Sequence, residues 1–331
     1  MDTPPKGHFL KLVAHKALDL FVAGDSPGDL QQVGHISGCI KFAVDPGESH
    51  DRQLLAVHYP RPERNFKPDA AHLRSRKQFL INAIDHGGIQ TPRPIPTPDG
   101  ELVIPIEIES PYWDSPCYCS LTEWQNGDPL NQDDTNHVEI VGKEMASLHN
   151  FANGWEPEDD HFSLPSFDRN TWMTALEKLD SAVEDGRILP EHYNTLFEST
   201  QLAILELEAA PGPENRIGII HGDMMPGNLL QAGPDIWIID FDNSGIGDFA
   251  QDIAWVLTQL TPENRRVFVN TYASVRRKGS PTQRELELHF ILSQIYSSSW
   301  WVNDPGHKFS SIPNLCELCR KLKHGRSFLY T

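Results

Sequence analysis

Apolar residues recur with a helical rhythm over residues 8–21, at Phe9, Leu12, Val13, Leu18, Leu20 and Phe21, which predicts an amphipathic helix. Short strand-like runs follow at residues 30–36, 39–44 and 53–58. The period turns helical again over residues 68–84, carried by Leu73, Phe79, Leu80 and Ile84, and Gly87-Gly88 supplies the stop. Residues 91–100 contain Pro92, Pro94, Pro96 and Pro98 and end in Asp99-Gly100. That composition excludes a helix or a central strand and signals a turn. Strands are expected at residues 101–108 and 117–124. From residue 131 the pattern is helical, over residues 134–151, 169–182, 191–209, 248–260, 262–277 and 283–302, with a further amphipathic helix at 314–323. A mostly β first third, a connector at residues 124–127 and a mostly helical remainder predict an α+β protein of two lobes. The expected division is an N-lobe of residues 1–124 and a C-lobe of residues 125–331, with a cleft between them.

Composition narrows the function classes. The 331 residues are 39% hydrophobic, enough for a buried core, and no apolar run approaches the roughly 18 residues of a membrane span. The first six residues, Met1-Asp2-Thr3-Pro4-Pro5-Lys6, lack the charged and apolar regions of a secretory leader, so the cytosol is the default location. A net charge of −18 argues against a nucleic-acid partner and suits either solubility alone or attraction of a cationic small substrate. Five cysteines do not suggest a secreted disulfide framework. Cys117, Cys119, Cys316 and Cys319 have a spacing that zinc can use, but a strand and an amphipathic helix also explain them as reduced, partly buried thiols.

The chemistry concentrates in one stretch. Ile220-His221-Gly222-Asp223-Met224-Met225-Pro226-Gly227-Asn228 is followed by Trp237-Ile238-Ile239-Asp240-Phe241-Asp242. Phosphoryl transfer from a nucleotide needs a positioned hydroxyl, a base beside it and a divalent metal over the phosphates. Asp223 is the candidate base. Asn228 offers a neutral oxygen and Asp240 a charged one to Mg²⁺, which takes oxygen ligands and shares its shell with phosphates and water. Asp242 is a second acidic group beside Asp240. Pro226-Gly227 makes the loop turn sharply. The bland alternative is a polar loop capping a core hairpin.

These residues resemble the catalytic loop of the aminoglycoside phosphotransferase and choline kinase superfamily, small-molecule kinases with a protein-kinase-like fold. There the loop reads His-Gly-Asp-Leu-His-Pro-Gly-Asn, and Met224-Met225 occupy its two variable places. Gly247-Asp248-Phe249-Ala250-Gln251-Asp252-Ile253-Ala254 resembles the family's Gly-Asp-Pro-x-x-Asp-Leu-Ala. The resemblance implies that Asp252, with His221, supports the catalytic loop, and Asp248 sits where a helix cap is favoured. In pattern the chain is nearest to stress-response kinase A-like and type II homoserine kinase-like phosphotransferases. Arg61-Pro62-Glu63-Arg64, the proline segment 91–100 and Ala146-Ser147-Leu148-His149 carry that likeness. His149 reads as structural. Residues 120–127 resemble the hinge, where adenine would pair near Glu123 and Gln125. The family implies ATP, Mg²⁺, a small antiparallel N-lobe sheet, a larger helical C-lobe and a small-molecule hydroxyl as acceptor.

The N-lobe departs from this pattern. A kinase carries a lysine on its third strand and a partner glutamate on the next helix. Here the third-strand position falls at Ala56, or at His58 if the register slips, and the helix position falls at Arg76. The glycine loop at residues 34–38 is sparse. Three readings stay open: Lys41 on the second strand substitutes, Arg76 binds phosphate, or the protein is a pseudokinase. Strand alternation puts Lys41 opposite in sense to Ile40 and Phe42, one of which is expected to cover adenine. For the acceptor, Asp133-Asp134 and the acidic residues at 156–160 attract an amine or are solvated loops. Trp300 and Trp301 wall a pocket, where a ring face would meet a cation, or belong to the core. Arg276-Arg277-Lys278 and residues 320–323 read as surface. A small-molecule kinase, a non-catalytic binding protein and a Ser/Thr protein kinase all remain compatible with the same core.

Overall fold

Strand alternation decides which residues of the N-terminal sheet are covered. In the computed structural model, which describes residues 6–22, 29–36, 38–45, 52–62, 66–157 and 161–331, the first helix α1 (Lys6–Phe21) is followed by β1 (Asp29–Ile36), β2 (Cys39–Asp45) and β3 (Gln53–His58). Helix α2 (Ala70–Asp85), β4 (Pro94–Ile95), β5 (Ile104–Ile106) and β6 (Cys117–Glu123) complete this part. The sheet order is β1-β2-β3-β6-β4, with β5 also on β6, and every pairing is antiparallel. Ile40, Phe42, Val44, Leu55, Val57, Cys117, Cys119 and Leu121 form one core cluster with Phe9, Leu10, Val13, Ala14, Ala17 and Leu18 of α1. The apolar rhythm of α1 therefore buries one face of the sheet, the favourable outcome for an amphipathic helix beside alternating strands. Asp69 caps α2 by accepting from the N–H groups of Ala71 (2.8 Å) and His72 (3.1 Å). The prolines leave Pro94 only an edge strand of two residues, as a ring without an N–H requires. The strand expected over residues 101–108 shrinks to Ile104–Ile106.

The rest of the chain is mostly helical: β7 (Asp128–Pro129), α3 (Thr135–Ala152), α4 (Arg169–Lys178), α5 (Asp180–Glu184), α6 (Pro190–Ala209) and β8 (Ile217–Ile220). Next come β9 (Leu229–Ala232), β10 (Asp235–Ile238), β11 (Gly245–Asp248), α7 (Phe249–Leu257), α8 (Pro262–Val275), α9 (Gln283–Ser299) and α10 (Ile312–Lys323). The single helix expected over 169–182 is two, because the regular ladder is interrupted at Leu179, whose N–H bonds back only three residues, to the Leu176 carbonyl at 2.9 Å. The apolar period runs through that break, so nothing local marks it. Helix α3 packs on α8, α7 on α9 and α6 on α10. Arg276, expected at the surface, is 7% exposed. Its guanidinium donates to the carbonyls of His149 (3.2 Å) and Asn215 (2.9 Å) and to the side-chain oxygens of Asn150 (2.9 Å) and Asn153 (2.6 Å). A planar fork of five donors is suited to tying α3 to the β8 approach in this way.

By internal contacts the first unit comprises Met1–Gly127 and Pro157–Leu164, and the second Asp128–Glu156 and Pro165–Thr331. The return of Pro157–Leu164 to the first unit, where Ser163 N–H donates to Ser75 Oγ at 2.8 Å, is a feature no linear boundary contains. Among the described residues no helix is long and apolar enough to cross a membrane. All five cysteines are buried free thiols. Burial pushes Cys117 and Cys319 up to about 12, so they are held as inert thiols. Ser37 of the glycine loop, Glu63 and Arg64, and the acidic residues Glu158, Asp159 and Asp160 lie outside the described residues.

Candidate active site

Two strand pairs of the second unit bring the candidate residues together. Strand β8 pairs with β11, with Ile220 opposite Gly245 and Ile217 opposite Asp248. The exit of β8 into the loop 221–228 is thereby set beside the start of β11, and the start of α7 lies beside the entry of β8. Strand β9 pairs with β10, with Leu229 opposite Ile238. This hairpin carries Asn228 and Asp240 on its two ends. Ile239 then ties the loop to the Asp240 segment twice: its N–H donates to the Asn228 carbonyl (2.9 Å), and its carbonyl accepts from His221 Nε2 (3.0 Å). His221 is fully buried. Its Nδ1 accepts from the Asp223 N–H at 3.2 Å, which fixes the Nε2–H tautomer.

Asp252 anchors the loop from α7. Its carboxyl accepts from the N–H groups of His221 and Gly222, both at 2.7 Å, and from His149 Nε2 at 3.2 Å. His149 Nδ1 lies 3.0 Å from the Tyr272 hydroxyl. Burial pushes the His149 imidazole down and the Tyr272 phenol up. Both are therefore neutral, and Tyr272 O–H donates to His149, which donates to Asp252. Asp248 caps α7 by accepting from the Ala250 N–H (2.9 Å) and meets Arg216 at 2.8 Å, while Arg216 also meets Glu285 at 2.6 Å.

Asp223 itself is half-buried. Its Oδ1 accepts from the indole N–H of Trp255 at 2.9 Å. Its backbone carbonyl accepts from Asn228 Nδ2 at 2.8 Å, and that nitrogen is a distant 3.5 Å from Oδ2. The amide nitrogen of Asn228 thus faces a carbonyl, and among the described residues its side-chain oxygen, an acceptor, is not engaged by this tether. Burial pushes the Asp223 carboxyl up, the Trp255 hydrogen bond opposes this, and the charges of Asp240 and Asp252 add to the rise. Asp240 has φ 65° and ψ 55°, a left-handed conformation that is strained for a residue with a Cβ and that concentrates at functional sites. Asp242 lies in the one-turn 3-10 helix that follows. Among the described residues no three His, Cys, Asp or Glu side chains form a metal cage. Two oxygen donors that share a metal with phosphates and water are the arrangement Mg²⁺ favours.

Gly222 holds the corner between the Asp252 anchor and Asp223. It has φ +77°, and a Cβ there would lie 2.3 Å from the Asn243 carbonyl oxygen. Gly222→Ala is expected to lower unfolding free energy by about 2–3 kcal/mol, from the left-handed backbone and the backbone clash together. Urea unfolding of the variant measures this.

The first unit holds the other candidates. Lys41 lies directly across from Ala56, and Ala56 across from Ser120, so these three share the sheet face opposite α1. His58 and Cys39 share it too, with Nε2 and Sγ 4.0 Å apart. The expectation that Ile40 or Phe42 covers adenine is overturned. Both are 2–3% exposed within the α1 core, on the face away from Lys41. Arg76 is 6% exposed, in the middle of α2. At the hinge-like segment, the N–H groups of Glu123 and Trp124 already donate to the carbonyls of Arg93 (2.9 Å) and Arg52 (3.0 Å). Gln125 donates from its side chain to the Asn126 carbonyl at 2.6 Å.

The two tryptophans separate. Both are exposed, at 44% and 48%, rather than in the core. Trp300 lies with its ring centroid 5.4 Å from that of Trp255, whereas Trp301 stacks on His307. Asp134 is the cap of α3, accepting from the Asn136 N–H at 2.9 Å, a local role. Trp255 is the site residue that the linear pattern missed. Its signal was its position three residues beyond Asp252, one turn along the same helix face.

A family model described as a phosphotransferase enzyme family matches residues 64–288. Amicoumacin kinase of Bacillus subtilis (strain 168) is 22% identical over 62% of this chain and 60% of its own length, so the match spans less than two thirds of that relative. Homoserine kinase of Agrobacterium fabrum (strain C58 / ATCC 33970) is 23% identical over 84% of this chain and 82% of its own length. Among solved structures, a microcompartment-associated aminopropanol kinase superposes with a TM-score of 0.74 at 20% identity, covering 96% of this chain and 99% of that one. The likeness is one of fold: an antiparallel sheet in the N-terminal region and a helical C-terminal region, as in protein-kinase-like proteins.

Proposed function

From the premise that this chain belongs to the phosphotransferase enzyme family, we propose that it transfers the γ-phosphate of ATP to a hydroxyl group of a small molecule. The observation that carries the reading is the tether of Asn228 Nδ2 to the Asp223 carbonyl at 2.8 Å. It leaves the Asn228 oxygen and the Asp240 carboxyl as metal donors and the Asp223 carboxyl as base. Asn228 and Asp240 would hold Mg²⁺, which when bound would supply charge neutralisation for the phosphates. Asp223 accepts the hydrogen bond of the acceptor hydroxyl, orients its oxygen for in-line attack and takes its proton. Asp252 keeps the loop backbone in place throughout. Lys41 supplies the phosphate-binding cation, because the register sets it beside Ala56, where the expected basic residue is missing. Glu123 and Gln125 lie on the adenine-binding segment, and Arg76 supports the phosphate region from α2.

The acceptor we assign is an amino alcohol. The relatives are named for aminopropanol, homoserine and amicoumacin, and the net charge of −18 favours a cation. The exposed ring of Trp300, packed on Trp255, provides a wall for it. A nucleotide-binding pseudokinase is the second reading, favoured by Ala56. One experiment separates the two. ATP with Mg²⁺ at a hundredfold excess over Kd is expected to raise Tm by about 3–6 °C, and Asp240→Ala to abolish the rise. Turnover on a panel of amino alcohols then marks the kinase. A Tm rise without turnover on any hydroxyl compound selects the pseudokinase, and no rise at all removes both.

A further inference from the structure

Helix α7 presents two side chains to the catalytic loop, one turn apart. Asp252 takes the backbone N–H groups of His221 and Gly222. Trp255 reaches the next residue and donates its indole N–H to Asp223 Oδ1 at 2.9 Å. The indole is 9% exposed. Its ring lies 5.4 Å from that of Trp300, which in turn meets Tyr296 edge-on at 5.4 Å. An indole nitrogen donates and never accepts, so it can hold the carboxylate but cannot take its proton. Among the described residues, the other oxygen, Oδ2, has only the 3.5 Å approach of Asn228 Nδ2, at the outer limit of a hydrogen bond. One carboxylate oxygen is thus engaged and the other is left open.

We propose that Trp255 is the positioning residue for the base: its indole N–H holds Oδ1 of Asp223, so that Oδ2 is the atom turned to the acceptor hydroxyl. The inference rests on Asp223 being the base and goes beyond it by assigning the two oxygens different tasks. A half-turn of the carboxyl about its Cβ–Cγ bond gives an equivalent arrangement, but a partial rotation would turn the open lone pairs away from the acceptor hydroxyl. The indole prevents this, and the ring packing on Trp300 keeps the indole from swinging away. A misplacement of this kind costs a base catalyst rate rather than substrate affinity.

The test pairs a spectroscopic readout with kinetics. In the ¹H–¹⁵N spectrum of the full chain, the Trp255 indole resonance, assigned by its loss in Trp255→Phe, is expected to move upfield in Asp223→Ala. An unmoved resonance overturns the proposal, and this readout needs no acceptor. In Mg²⁺–ATP turnover, with water or an amino alcohol such as ethanolamine as acceptor, Trp255→Phe is expected to lower kcat about 10- to 100-fold. The KM for ATP should change by less than about twofold. In an Asp223→Asn background the same substitution should have no further effect on kcat. An equal loss in both backgrounds, or a loss in KM alone, assigns Trp255 to packing and overturns the proposal. If Asp223→Asn by itself keeps the wild-type rate, the base assignment falls and the proposal with it. If Asp223→Asn is inactive while Trp255→Phe is not slowed, only the role of Trp255 falls.

Discussion

Asp223→Asn is expected to lower kcat about 10²–10⁴-fold, the range a positioned general base contributes, while leaving the fold and nucleotide binding in place. The carboxamide oxygen can still accept from the Trp255 indole, which now donates to Oδ1 at 2.9 Å, so the geometry survives and only the proton acceptor is lost. The same variant carries a second, opposite signature. Burial pushes the Asp223 carboxyl above its ordinary value of 3.8. A carboxyl whose folded pKa is raised weakens the native state wherever it is charged. The penalty is fully present above the raised folded value and fades as pH falls through it, vanishing below the unfolded value. In the metal-free protein, Asp223→Asn should therefore be more stable than wild type at neutral pH, with the difference closing below about pH 4. Urea unfolding at two pH values measures the stability, and turnover on the amino alcohol panel measures the rate.

Asp252→Ala is expected to be the most destabilising single change at the site, by about 4–6 kcal/mol. The carboxyl is fully buried and accepts from three donors: the His221 N–H, the Gly222 N–H and His149 Nε2. Removing it leaves three buried donors without a partner and an adjoining void. Each lost acceptor costs more than the bond it made, because water does not reach the site to replace it. Thermal and urea unfolding check the magnitude. The fraction that folds should also turn over slowly, since residues 221–223 lose the anchor that sets the base. Asp252→Asn should fall between wild type and Ala, because one amide oxygen cannot serve three donors and its NH₂ must face one of them. Equal stability of Asp252→Ala and wild type would remove the carboxyl from its structural role.

Much of this architecture was legible along the chain because period reports local geometry. The run at 53–58 is the strand Gln53–His58, and the run at 68–84 is a helix over Ala70–Asp85. The closeness of Asp223 and Asn228 was legible as well, since Pro226-Gly227 turns the loop between them, and Asn228 Nδ2 lies 2.8 Å from the Asp223 carbonyl. Other features were not. The break at Leu179 is invisible because Leu176, Leu179 and Ala182 continue the apolar rhythm across it, and all three are fully buried. Arg276 looked like surface because a charge has no local sign of burial. Its acceptors come from residues 149–153 and 215, far along the chain.

The first-unit sheet shows the division most sharply. Alternation alone puts Ile40 and Phe42 on one face of β2 and Lys41 on the other. Which face α1 covers is a matter of packing, and α1 covers the face of Ile40 and Phe42. That choice leaves Lys41, across from Ala56, on the face away from α1. In the second unit, the order of residues names a candidate base and candidate metal donors. The indole that holds the base comes from a helix 32 residues further on, and only the pairing of β8 with β11 brings that helix alongside. Local period and side-chain chemistry are short-range properties and travel with the residues themselves. Burial and long-range hydrogen bonds depend on which surfaces meet, and that is settled only when the whole chain packs.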